Sequence, residues 1–97
     1  MKLSPHFTLA ELTVSETARR RGLSNQPGPR VLANLKRAAA GMEQVRTALG
    51  GLPVRVTSGY RAPAVNAAVG GSRTSAHTQG HAIDFVCPAF GPPLEVA

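Results

Sequence analysis

Ninety-seven residues suffice for one domain, because independently folding units run to about 50 to 200 residues and a second core would have nothing left to bury. Eleven Lys and Arg against five Asp and Glu leave a net charge of +6, which suits polyanionic surroundings (nucleic acid, anionic lipid or the bacterial wall) without choosing among them. A single cysteine, Cys87, excludes an intrachain disulfide and a multi-cysteine zinc knuckle, so any metal rests on histidine and carboxylate.

The start, Met1 to Phe7, lacks the apolar run of a signal peptide, and no stretch reaches the roughly 18 apolar residues of a membrane span. The expectation is a soluble chain made in the cytoplasm, acting on a wall only if released or delivered, as in a phage. Thr8-Leu9-Ala10-Glu11 has capping-box spacing with Phe7 as a staple, so a short helix begins there. Ser15 opens a second one, whose arginines Arg19 to Arg21 suit the C-terminal end before Gly22. Asn25 to Pro29 reads as a loop. From Arg30 to Leu49, Val31, Leu32, Leu35, Met42, Val45 and Leu49 recur near a period of 3.6, which makes this the longest helix and main core element.

Val54 to Ser58 alternates and is β-branched, the pattern of a strand; a second such run is His81 to Cys87, halted by Pro88. A short helical patch, Pro63 to Val69, lies between them. Pro92 to Ala97 reads as the opening turn of another helix, too short to hold itself in water.

Residues of unusual chemistry concentrate between Ser58 and Asp84: Tyr60, Arg61, Asn66, Ser75, His77, His81 and the chain's single aspartate. Gly80 lets the chain turn from a loop carrying His77 into a strand carrying Asp84, so imidazole and carboxylate can converge on one cation such as Zn²⁺. Ordinary hydrogen bonding is the alternative for both groups. The strand period puts His81 on the face opposite Asp84, as a residue behind the ligands or on the surface. His6 is expected at the surface.

Ser58-Gly59-Tyr60-Arg61-Ala62-Pro63, with Asn66 and Val69-Gly70-Gly71, leads into Ser75-Ala76-His77-Thr78-Gln79-Gly80-His81-Ala82-Ile83-Asp84-Phe85. This order resembles the zinc D-alanyl-D-alanine carboxypeptidase family of metallopeptidases, which includes phage endolysins. The helices from Phe7 to Leu49 resemble its small single-domain branch. The resemblance implies that His77 and Asp84 are the first two zinc ligands and that Arg61 polarises the scissile carbonyl. Ser75 matches the family's motif serine near the ligand, with turn capping as its alternative; Tyr60 is a candidate substrate contact, and Asn66 reads as a cap of its short helix with substrate contact as the alternative. The implied fold is α+β, N-terminal helices on a small antiparallel sheet of the hedgehog/D-Ala-D-Ala-peptidase type.

The implied function is zinc-dependent cleavage of peptidoglycan stem peptides. One alternative is a catalytically silent domain that binds wall peptide; another is a basic nucleic-acid-binding protein, disfavoured because no aromatic platform or basic stripe accompanies the charge. The family brings its third ligand, a histidine, and its general-base glutamate from a later Glu…Trp-x-His segment, a pattern that does not follow Asp84 here. Glu95 is the one carboxylate after Asp84 and is read as part of a frayed end, not as the base. Residues 1–97 are therefore expected to form one incomplete domain lacking its C-terminal segment, with weak zinc binding and an unpaired sheet edge open to oligomerisation.

Overall fold

The chain opens with two short strands that the residue pattern does not announce, β1 (Lys2–Ser4) and β2 (Phe7–Thr8), paired antiparallel in a computed structural model that describes residues 1–96. Strands this short carry little periodic signal, and tertiary contacts hold them. The Ser4 hydroxyl donates to Glu43 Oε2 at 2.6 Å, the His6 amide to the same oxygen at 2.7 Å, and the His6 ring Nδ1 to Oε1 at 2.7 Å. His6 is thus exposed, as expected, but engaged.

The expected helices are present. Thr8 caps α1 (Leu9–Leu12) through a complete capping box with Glu11, and Ser15 caps α2 (Glu16–Arg21) by accepting from the Ala18 amide. The long helix α3 (Pro29–Ala48) starts with proline at its first turn, where the missing N–H costs nothing. Leu35, Ala39 and Met42 on one stripe of α3 are fully buried.

Strands β3 (Arg55–Ser58), β4 (Ile83–Val86) and β5 (Leu94–Val96) form an antiparallel sheet in that order, with α4 (Pro63–Ala68) between the first two in sequence. The β4 strand begins two residues later than the alternating run suggested. Its period holds: Ile83 and Phe85 face the core while Asp84 and Val86 face outward.

The final segment differs from expectation. Leu94 to Val96 forms a strand on the open edge of β4 instead of a helical turn; Ala97 lies outside the described residues. A lone helical turn fixes several dihedrals for one hydrogen bond, whereas an existing strand edge offers ready partners. Leu94 and Val96 also pack against the core, which local sequence could not reveal.

The core joins Phe7, Leu12, Leu35, Ala39, Met42, Val56, Tyr60, Ile83 and Phe85. Burying each large apolar side chain contributes about 1.5–3 kcal/mol. The fold is α+β, with the helices packed on the sheet that carries the chemistry.

Candidate metal centre

His77 reaches the site from a 3₁₀ turn, Ala76–Gln79, where sequence suggested a plain loop. Ser75 caps the turn by accepting from the His77 amide, and Gly80 ends it at φ 76°, a left-handed conformation that favours glycine. Asn34 on α3 donates to the Gln79 carbonyl at 2.8 Å and pins the turn from below.

The imidazole is buried, with Nδ1 2.7 Å from the carbonyl oxygen of Gly59. A carbonyl can only accept, so Nδ1 carries the hydrogen, and Nε2 is the ring atom directed to the other side. That atom lies 3.4 Å from Asp84 Oδ2 and 3.2 Å from Glu95 Oε2.

Asp84 stands on the outward face of β4. In the β3–β4 pairing, Val56 opposes Phe85 and Ser58 opposes Asp84, so Thr57 is an extra residue on β3. Such a bulge bends the strand and re-aims the residues after it, here the Gly59 to Arg61 segment. Burial raises the Asp84 carboxyl above its ordinary range, a hydrogen bond with Glu95 adds to this, and the charges of His77 and Arg61 oppose it. The same hydrogen bond lowers Glu95, helped by His77.

Arg61 enters the same neighbourhood. Its amide donates to the His77 carbonyl at 3.1 Å, Nη2 donates to Ser75 Oγ at 3.2 Å, and its charge acts on both Asp84 and Glu95. Nε is buried, with no hydrogen-bond partner among the described residues. The structure thus brings His77, Asp84, Arg61 and Ser75 together.

Three other residues singled out in the sequence lie apart from this cluster. Tyr60 is packed in the core, 6% exposed. Asn66 is buried inside α4, where it caps nothing; its Nδ2 donates to the Ser72 carbonyl and its Oδ1 lies under Gly71 without a partner. It lines a cavity of about 380 Å³ that also includes Arg73 and Gln79 but neither His77 nor Asp84. His81 precedes β4, is exposed, and borders a groove with Asn34, Arg37 and Val96.

Two contributors were missed by sequence reasoning. Glu95 joins the cluster only because β5 pairs with β4, with Glu95 directly opposite Asp84. Asn25, read as a loop residue, is buried: its Nδ2 donates to the carbonyls of Thr13 and Tyr60 at 2.8 and 2.9 Å, and its Oδ1 accepts from the Ala62 amide at 2.8 Å. It therefore holds both flanks of Arg61. A lone asparagine in a loop gives no local sign of such a role.

Among the described residues, His77, Asp84 and Glu95 form a group whose donor atoms all lie within 4.8 Å of one another. Four-coordinate zinc with ligands at about 2.0–2.2 Å has donor–donor edges of roughly 3.3–3.6 Å. The 3.4 Å from His77 Nε2 to Asp84 falls within that edge, the 3.2 Å to Glu95 lies just below it, and the donor types suit the metal. A family model described as Peptidase M15 matches residues 5–96. The chain belongs to the peptidase M15 family.

No curated protein matches the chain. Membership makes this M15 chain a peptidase of the zinc D-Ala-D-Ala carboxypeptidase type at the level of the family, and the family's general dependence on zinc agrees with the donor set of the site. No helix among the described residues is long and apolar enough to cross a membrane. Two of the three arginines of α2 are engaged at their own helix: Arg19 and Arg20 both pair with Glu16.

Proposed function

We propose that the chain is a zinc-dependent peptidase that cleaves peptidoglycan stem peptides at a D-alanyl bond, with His77 and Asp84 as metal ligands. The observation that carries this reading is the orientation of His77, whose Nδ1 is committed to Gly59 so that Nε2 faces Asp84. A hydrogen bond on the far nitrogen, which fixes tautomer and ring orientation, is the usual support of a metal-binding histidine. Zinc held there supplies a Lewis acid that activates water and polarises a carbonyl.

The chain's own groups provide the rest. Arg61 holds its guanidinium in the neighbourhood of the ligand pair, a cation suited to the oxygen that becomes negative during attack. Ser75 occupies Nη2 and holds the guanidinium beside His77. Glu95 stands opposite Asp84 on β5, 3.2 Å from His77 Nε2, a carboxylate beside the ligand pair that can accept a proton. The net charge of +6 favours approach to an anionic wall.

The test is release of D-alanine from a stem peptide ending in D-Ala-D-Ala, with zinc supplied. Turnover by the wild-type chain is expected to disappear in His77→Ala and to fall about 10²- to 10³-fold in Arg61→Ala, the usual cost of losing one oxyanion donor. Full activity in a folded His77→Ala chain would sink the proposal.

A further inference from the structure

Between α4 and the 3₁₀ turn that carries His77 lies the cavity of about 380 Å³, with Pro63, Ala67 and Gly71 on its apolar side and Arg73, Thr78 and Gln79 on its polar side. No carboxylate lines it, and Arg73 enters no ion pair among the described residues. Gln79 Oε1 accepts from Arg30 Nη2 at 3.1 Å, so the amide hydrogens are the part of Gln79 left to meet a ligand. Thr78 commits its hydroxyl hydrogen to the Ser75 carbonyl at 2.7 Å. The cavity therefore offers a guanidinium and an amide as donors, with Arg30 adding a second positive charge beside Gln79.

The loop that presents Arg73 is fixed from below. Gly70 turns it at φ 73°, the Gly71 amide donates to the Asn66 carbonyl at 2.9 Å, and Asn66 Nδ2 donates to the Ser72 carbonyl at 2.8 Å. The Ser75 amide closes the loop on that same Ser72 carbonyl at 2.9 Å. A Cβ on Gly71 would overlap Asn66 Oδ1, so the loop lies directly on α4. Buried Asn66 thus braces the backbone on both sides of Gly71.

We propose that this cavity is a subsite for a carboxylate-bearing side arm of the stem peptide. Arg73 and Gln79 recognise the carboxylate, and Pro63 and Ala67 cover the aliphatic part of the arm. The proposal rests on the reading that the chain cleaves such peptides. A guanidinium matches a carboxylate with two parallel N–H donors, and apolar walls suit a carboxylate on a hydrocarbon arm better than a fully hydrated anion. Thr78 adjoins His77 in the chain and Pro63 comes two residues after Arg61, so the cavity begins beside the residues of the metal centre. An extended peptide covers about 3.3–3.6 Å per residue, which brings an arm a few residues from the scissile bond within reach.

The experiment follows D-alanine release by the whole chain, with zinc supplied, from two stem peptides ending in D-Ala-D-Ala. The peptides are alike except that one carries a free side-arm carboxyl and the other the matching carboxamide. Calorimetry of the same peptides reads binding apart from cleavage, and circular dichroism checks that each variant is folded. KM is expected to be about tenfold lower for the carboxylate peptide, the gain of a charge-assisted over a neutral hydrogen bond, and calorimetry should show the same preference. The preference should vanish in Arg73→Gln and be partly kept in Arg73→Lys, where the charge stays and the fork is lost. Ala67→Leu, which narrows the cavity without changing charge, should weaken binding of the carboxylate peptide.

Equal KM and equal binding of the two peptides, with D-alanine released, overturns the subsite and leaves the peptidase reading standing. A preference seen by calorimetry and lost in Arg73→Gln, without cleavage by the wild type, keeps the subsite and overturns the peptidase reading. Absence of both binding and cleavage overturns both. Inorganic phosphate that displaces the carboxylate peptide as well as free peptide does would make the cavity a general anion site and overturn the side-arm assignment. Should Arg73→Gln fail to fold, Arg73→Lys and Ala67→Leu decide: wild-type preference and affinity in both overturn the proposal.

Discussion

Gly59 lies so close to Leu12 that a Cβ on it would overlap the Leu12 carbonyl oxygen. The contact is locked by the Tyr60 amide, which donates to that same oxygen at 2.8 Å. Because the Gly59 carbonyl also receives Nδ1–H of His77, a constraint at the end of α1 is passed directly to the candidate ligand. Gly59→Ala should therefore cost about 1–3 kcal/mol, the usual range for overpacking, and should weaken zinc binding by displacing His77. Chemical denaturation and zinc titration of the variant check this; unchanged zinc affinity would detach Gly59 from the site.

Asn25 makes three side-chain hydrogen bonds to backbone, two of them to the residues flanking Arg61 and one to Thr13. Asn25→Ala leaves buried groups such as the Ala62 amide without a partner, at about 1–3 kcal/mol for an unsatisfied group. In denaturant the midpoint should fall while the slope stays constant. A variant as stable as wild type would mean that water replaces the amide.

The Ser4 hydroxyl, followed by the ring and amide of His6, holds the Glu43 carboxyl well below its ordinary value of 4.5, at about 2. A carboxyl depressed on folding stabilises the protein above its unfolded value and loses that contribution as pH falls through the folded one. Wild type should therefore exceed Glu43→Gln in stability at pH 6, with the gap closing between about 4.5 and 2. Melting curves across that range test the sign. A gap that widens on acidification would reverse it.

Zinc removal should lower stability as well as activity, because a ligand that binds only the folded chain stabilises it by mass action. At zinc a hundredfold above its dissociation constant the increment is about 2.7 kcal/mol. For a domain of this size that corresponds to a rise in Tm on the order of 10–20 °C. The measurement is thermal melting with zinc and with chelator, and the increment should vanish in His77→Ala. An equal rise in that variant would assign the effect to another site.

What could be read from local sequence is what local physics controls. The capping box at Thr8 and Glu11, the cap at Ser15, the apolar stripe of Leu35 and Met42 and the alternation of Ile83, Asp84 and Phe85 each express an interaction within one element. The motif between Ser58 and Phe85 likewise pointed to the family that the match over residues 5–96 shows. The β1–β2 pair, the hold of Asn25 on Arg61 and the strand at Leu94 to Val96 depend instead on partners far away in the chain, at Glu43, Tyr60 and Ile83 to Phe85. Glu95 shows the difference most clearly. Its neighbours Pro92 and Pro93 suggested a helical start, and only the open edge of β4, with core packing of Leu94 and Val96, turned the segment into a strand and set its carboxylate beside His77 and Asp84. Strand pairing is a long-range hydrogen-bonding decision, so no window of sequence around Glu95 contains it.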